Sequence, residues 1–431
     1  MERRRRFWVL PGLLTLGIAS IAAGTLAPAR AGAADATPGV TAKQINVGAI
    51  SSKSGALAGY FGGLAPGMTA YFKTVDAKGG INGRKIVLTN NLDDGGVPSQ
   101  FNQDAHTLID QDHVFAIGVA SAWFSPNYFV ATKTPTYGYN VSANWQTAPN
   151  LFAVGGSTQI YSSAYSTLSW IIKRLKSKSV AFISYGPSIS SSYDACSSYA
   201  TAMQKAGYKV YADVEAQLAG TYSSDVQRIR QAGSSLLFSC MQGSDNITLT
   251  RDIKQYGLNI KQLWLNGYDQ SLLDQYSNIL QGVYLDITGV VPFEAANTAK
   301  FGNLYPGMQA YMAAMKKYEP GYVLNGVSFD GWQSAALLAA GIKAAGNDLT
   351  QANVIKATNT ITNFTAGGLS SPVNWKVSHT TYTVPNCSAY VQVQGTKYVP
   401  VFGQGKQVFV CVNSSVKDPA VVTPPKGTPG T

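Results

Sequence analysis

From Gln44 onward, short apolar runs alternate with helix-length amphipathic runs, and few features restrict a fold more tightly. Residues 45–50 alternate and then run apolar, as a buried parallel strand does. A Gly/Ser-rich loop comes next, then a helical stretch over 66–77, a Gly79-Gly80 break and a strand over 85–88. The pattern predicts a helix over 97–110 and strands over 114–119 and 134–138. After Val154-Gly155-Gly156 the series restarts with a helix over 161–175. Strands over 180–184, 210–214 and 236–240 then alternate with helices over 193–206, 224–232 and 247–256. Such spacing builds βαβ units, whose parallel sheets are covered on both faces. Two series predict two α/β lobes.

Past Gly289 the chain turns helical, over 307–317 and 327–345, and Ala344-Ala345-Gly346-Asn347 closes the second run. Gly367-Gly368 leads into a β-rich segment with strands over 390–393, 398–402 and 408–412. Residues 418–431 hold four prolines and no core pattern, so a disordered tail is expected there.

The N-terminus reads as an address. Arg3 to Arg6 precede an apolar run over 7–27, and Ala29-Arg30-Ala31 supplies an A-x-A cleavage pattern. This is the layout of a secretory signal peptide over 1–31, with an uncleaved anchor as the alternative. Arg4-Arg5-Arg6-Phe7 also fits a loose twin-arginine signal, so the export route stays open. The first cysteine is Cys196, which leaves no lipid-anchor cysteine behind the apolar run. A secreted or periplasmic protein that is soluble and monomeric is expected. Loss of residues 1–31 takes the net charge from +11 to +7, with 28 basic and 21 acidic residues, and those charges are dispersed rather than clustered, which argues against a nucleic-acid partner.

Four cysteines in an exported chain favour two disulfides over free thiols. Three pairings are possible. Cys196 opens a helix of the second series and Cys240 ends one of its strands, while Cys387 and Cys411 bracket the β-rich segment. That placement favours Cys196–Cys240 and Cys387–Cys411. The three histidines are far apart and no two cysteines have metal-site spacing, so neither a metal nor a cofactor is expected. No nucleophile elbow, zinc-protease motif, phosphate loop or complete dinucleotide fingerprint occurs. Asp93-Asp94 reads as a strand-end turn before it reads as an acid–base pair. Enzymatic activity is not expected.

Gly79-Gly80-Ile81-Asn82-Gly83-Arg84-Lys85-Ile86, followed by Asp93-Asp94, resembles the branched-chain-amino-acid-binding family of periplasmic proteins. Ser54-Gly55, Ala116-Ile117-Gly118, Tyr193, Thr221 to Asp225 and Ser328-Phe329-Asp330-Gly331-Trp332 extend the likeness over about 41–402. The resemblance implies a type I periplasmic binding protein fold, the venus flytrap. In it, two Rossmann-like lobes are joined by a three-segment hinge and close on a ligand. Gly155-Gly156, Thr288-Gly289 and Gly367-Gly368 suit the three crossings. The lobes would then comprise 41–156 with 289–367, and 157–288 with 368–417.

Function follows from the same resemblance. An extracytoplasmic solute-binding protein would deliver a small molecule to an ABC permease; a sensor reporting to a signalling partner is the alternative. Carrying the family's pattern over, the loops after the strands offer Ser54, Tyr60, Ser121, Ala122, Trp123, Tyr139, Asn140 and Ser142 from the first lobe. Tyr193, Gln242, Tyr268 and Asp269 would come from the second. The loop Ala120-Ser121-Ala122-Trp123-Phe124 is poorer in hydroxyls than an amino-acid binder's, and Asp269 stands one residue from the place suited to an ammonium partner. Both departures put an aromatic or hydrophobic ligand ahead of a branched-chain amino acid.

Overall fold

A computed structural model describes residues 37–158 and 165–431. The expected signal peptide and the start of the helix expected at Tyr161 lie outside the described residues. The chain first lays down β1 (Gln44–Ser51), α1 (Ala58–Phe61), α2 (Leu64–Asp76), β2 (Lys85–Asp93) and α3 (Pro98–His106). β3 (Ala116–Ala120), α4 (Asn127–Thr132), β4 (Thr136–Gly138) and β5 (Leu151–Ala153) complete the first sheet. Its five strands are ordered β2-β1-β3-β4-β5 and every pairing is parallel. β3 is buried throughout, as a strand covered on both faces must be.

The second lobe repeats the plan. α5 (Tyr165–Arg174), β6 (Ser179–Tyr185), α6 (Ser190–Lys205), β7 (Lys209–Ala216), α7 (Ser223–Ala232) and β8 (Leu236–Ser239) come first. α8 (Gly243–Gln255), β9 (Lys261–Trp264), α9 (Gln270–Leu280) and β10 (Tyr284–Asp286) follow. The chain then runs through α10 (Thr298–Phe301), α11 (Pro306–Tyr318), α12 (Gly326–Ala345) and α13 (Gln351–Thr358). It returns to the second sheet as β11 (Cys387–Gln394), β12 (Lys397–Val401) and β13 (Phe409–Cys411). That sheet is ordered β12-β11-β10-β9-β8-β6-β7, with β13 beside β11. It is parallel from β7 to β10, and β11 and β12 are added antiparallel.

α12 belongs to the first lobe although it lies far along the chain. Gly67 of α2 and Gly331 of α12 let the two backbones touch. A Cβ on Gly67 would stand 2.1 Å from the Ser328 carbonyl oxygen, and one on Gly331 would stand 2.0 Å from that of Leu64. Asn325 and Ser328 form a capping box that starts the helix. Residues 293–318, expected in the first lobe, pack on both. Phe293, Phe301, Tyr305 and Met308 share one apolar cluster with Leu285, Val391 and Phe409 of the second lobe, and with Ala70 and Trp332 of the first.

Three passages join the lobes. The first leaves β5 through Gly155 and Gly156, both at positive φ. The second leaves β10 through Thr288, at φ +50°. The third comes later than Gly367-Gly368, because Val373, Trp375 and Val384 are still buried in the first-lobe core. It reaches the second sheet only at Cys387. Gly307 of α11 instead lets the Gly367-Gly368 backbone pass close by, since a Cβ on it would stand 2.5 Å from the Gly368 carbonyl carbon. Backbone bonds lace the passages together: Thr158 N–H donates to the Ser378 carbonyl (2.8 Å) and Ser371 N–H to that of Gly289 (2.7 Å).

The tail is ordered, contrary to expectation. Val421 bridges to Val412, Thr428 is buried, and Gly430 lies against the Tyr305 ring. Its prolines lack an N–H, so they suit an extended edge segment rather than preventing packing. Cys196 pairs with Cys240 and Cys387 with Cys411. The GGI-x-GR turn behaves as read: Gly79, Gly80, Asn82 and Gly83 all take positive φ, and Ile81 bridges to Arg84. Among the described residues no helix is long and apolar enough to cross a membrane.

Candidate functional site

Ligands in open α/β sheets bind beyond the carboxyl ends of the strands, where the strand order reverses. In the first sheet that reversal lies between β1 and β3; in the second, between β6 and β8. One cavity of about 270 Å³ is lined from both places. Leu57 to Phe61 follow β1, Ala122 follows β3 and Tyr139 follows β4. Opposite them, Tyr185 ends β6, Cys240 follows β8 and Leu265 follows β9. The volume is close to the lower end of the roughly 300–1,000 Å³ usual for small-molecule pockets.

Hydrogen bonds fix much of this lining. Tyr60 O–H donates to Asn266 Oδ1 (2.7 Å), a bond from one lobe to the other, and its oxygen also meets the Tyr139 hydroxyl. Asn266 Nδ2–H donates to the Cys240 carbonyl (3.2 Å). Asn140 steadies the first passage by donating to the Gly156 carbonyl (2.7 Å). Tyr185 O–H donates to Asp245 (2.5 Å) and accepts from Gln242 N–H (3.1 Å). Burial, reinforced by that carboxylate, pushes the Tyr185 hydroxyl far up. Tyr268 stacks on Phe293, with ring centroids 4.5 Å apart, and donates to Glu294 (2.8 Å). Burial pushes the Glu294 carboxyl up to about 7, against the opposing effect of this bond.

Of the twelve residues expected at a ligand, seven meet in the cavity: Tyr60, Ala122, Tyr139, Asn140, Gln242, Tyr268 and Asp269. Two more of these are tied to the protein itself. Asp269 caps α9, accepting from Ser271 N–H (2.7 Å), and Gln242 donates to Asp245 (3.3 Å).

The other five are not brought there. Ser54 is exposed and its N–H donates to Asp93 (3.2 Å), which also accepts from Lys53 and Gly95. The Asp93 carboxylate therefore ties the loop after β1, as a strand-end role requires. Ser121 accepts from Trp123 N–H (3.0 Å) and so shapes its own turn. Trp123 turns toward Gly96, its Nε1 standing 3.8 Å from where a Cβ there would be. Ser142 precedes the short 3-10 turn Ala143–Gln146, with its hydroxyl buried. Tyr193 fails by helical phase. The α6 residues that reach the cavity are Ser191, Ser192 and Ala195, which leaves Tyr193 on another face.

Several lining residues escaped the sequence reading. Tyr185 could have been found as the end of a buried strand. Asn266 follows β9, a four-residue strand too short to show a period. Asp330 stood in the Ser328 to Trp332 run that carried the resemblance, yet it received no role. Its side chain is 7% exposed, lines the cavity and makes no hydrogen bond among the described residues. With nothing to offset burial, its carboxyl is held well above the usual carboxylate range. Gln333, one turn further along α12, is 4% exposed and also has no hydrogen-bond partner among the described residues. Among the described residues no group of three or more His, Cys, Asp and Glu could hold a metal ion.

A family model described as periplasmic binding protein matches residues 44–397. By sequence, no curated protein matches the chain. Solved structures match across most of its length. A fatty acid ABC transporter substrate-binding protein from Thermomonospora curvata is similar, with a TM-score of 0.72 and 18% identity, over 91% of this chain and 97% of that one. A substrate-binding periplasmic protein from Ralstonia solanacearum gives 0.69 and 16%, over 83% and 99%. A leucine-binding protein from Thermotoga maritima gives 0.66 and 15%, over 83% and 97%.

Proposed function

The chain belongs to the periplasmic binding protein family, and from that premise we propose that it captures a small organic molecule between its lobes for an ABC-type importer. The observation that carries this reading is the single cavity at the carboxyl ends of both parallel sheets, with walls drawn from two lobes joined by three passages. Such a joint suits hinge closure, in which each lobe moves as a body and the site forms between them. The walls are rich in Tyr60, Tyr139, Tyr185, Tyr268 and Phe329, which favours an aromatic or other hydrophobic ligand over a branched-chain amino acid. Similar structures described as handling a fatty acid and leucine are consistent with an apolar ligand body. Export through the N-terminal signal, loss of residues 1–31 and action as a monomer belong to the same proposal.

A thermal-shift screen of amino acids, aromatic acids, amines, alcohols and sterol fragments tests it. A ligand present at 100 times its Kd should stabilise the protein by about 2.7 kcal/mol. Small-angle scattering should then show a smaller radius of gyration in its presence. A ligand that binds without compaction, and that is indifferent to changes in one of the two lobes, would remove the reading.

A further inference from the structure

The cavity carries acids and no base. None of the described residues that line it is Lys, Arg or His. Three carboxyls border the space: Asp269, Asp286 and Asp330. Asp269 is occupied as the cap of α9, and Asp286 accepts from Thr288 N–H (2.7 Å). Asp330 has no partner among the described residues. It sits more than nine-tenths buried at the cavity wall, with Gln333 beside it on the same face of α12.

Helix N-termini could in principle hold an anion here instead. α9 and α12 are closed by their own Asp269 and Asn325 side chains. α8 carries Asp245 in its first turn, where it would repel a second negative charge. Among the described helices of eight or more residues, only α6 begins at the cavity with neither a side-chain cap nor an acid in its first turn, and its Ser192 hydroxyl already donates to the Cys240 carbonyl (3.0 Å).

We propose that the cavity binds an apolar amine and discriminates against carboxylates, with the ammonium group placed between Asp330 and Gln333. The proposal rests on the solute-binding reading and names its ligand class. A buried carboxyl without a partner is costly, and a ligand cation supplies the charge that no residue provides. The carboxylate accepts from the ammonium, and the Gln333 amide oxygen is a second acceptor. Tyr60, Tyr139 and Phe329 offer ring faces to the apolar body and to the cation.

The test compares head groups on one body. Calorimetry on the mature protein would use 2-phenylethylamine, 2-phenylethanol and phenylacetate, then the same three head groups on cyclohexyl and octyl bodies. The amine of at least one body should bind about tenfold tighter than its alcohol and carboxylate. Asp330→Asn should erase that preference while leaving alcohol affinity within about threefold; Asp330→Glu should retain part of it. Should Asp330→Asn fail to fold, Gln333→Leu takes its place and should weaken the amine selectively. A carboxylate that binds best, or an Asp330→Asn loss shared equally by amine and alcohol, overturns the proposal. So does a failure of every amine while another class binds with compaction, and that outcome leaves the solute-binding reading standing. If nothing binds and no compaction occurs, both fall.

Discussion

Asp286 ends β10 where the second passage begins, and its carboxyl accepts from Thr288 N–H two residues on. Burial pushes it up to about 6, although the Thr288 and Ser388 bonds pull the other way. A carboxyl raised above its unfolded value of 3.8 favours folding fully only below about pH 4. That contribution fades as pH rises through about 6. Asp286→Asn should therefore flatten the dependence of stability on pH between about 4 and 6. Above pH 7 it should stabilise the unliganded protein by on the order of 2–3 kcal/mol, read from denaturant midpoints. A variant that keeps the wild-type slope would assign the dependence to another group. At the same scale, Tyr60 lines the cavity, and Trp123 and Tyr193 do not. Tyr60→Ala should weaken a bound ligand roughly 5- to 150-fold, and Trp123→Ala and Tyr193→Ala by less than about twofold. Single positions were partly legible in the sequence. Which residues follow a strand can be read from pattern, but the rotation of a side chain about its helix or turn cannot. Tyr193 and Trp123 stand off the cavity for that reason, while Tyr139 and Asn140 follow β4 and line it.

Elements were legible in proportion to their length. The fully buried β6, with seven residues, and the twenty-residue α12 stand out. Three-residue strands such as β5 and β10 carry no period of their own and emerge only because neighbours pair with them. The contact between α2 and α12 depends on Gly67 and Gly331, whose role no pattern of apolar residues announces. Gly331→Ala should cost about 1–3 kcal/mol or more, because the new methyl would meet the rigid Leu64 carbonyl rather than a flexible side chain. A melt unchanged from wild type would mean that the two helices separate cheaply. The Cys196–Cys240 bridge ties α6 to the end of β8 beside the cavity. Replacing both cysteines by serine should remove roughly 2–4 kcal/mol, measured by unfolding with and without reductant. Reductant should then have no further effect through that pair.

The whole molecule was legible as two α/β lobes because the strand–helix alternation restarts after Gly156. The third passage was not. Gly367-Gly368 looked like a break, but the run from Val373 to Val384 stays with the first lobe through Trp375 and its packing on Phe152. Such a decision is made by long-range packing that a linear pattern does not carry. The same arrangement bears on how the chain acquires its shape. The first sheet comes early in synthesis, yet its β4 is bonded, through Tyr137 and Thr358, to a helix 221 residues downstream. The second sheet in turn waits for β11, the strand paired beside β10. Neither half can finish before nearly all of the polypeptide has emerged. Folding is thus deferred toward the end of translation or translocation, and the high sequence separation of its contacts makes the process slow. If the chain is exported, as the proposed function has it, through a channel for unfolded polypeptide, that delay keeps it threadable until it has crossed.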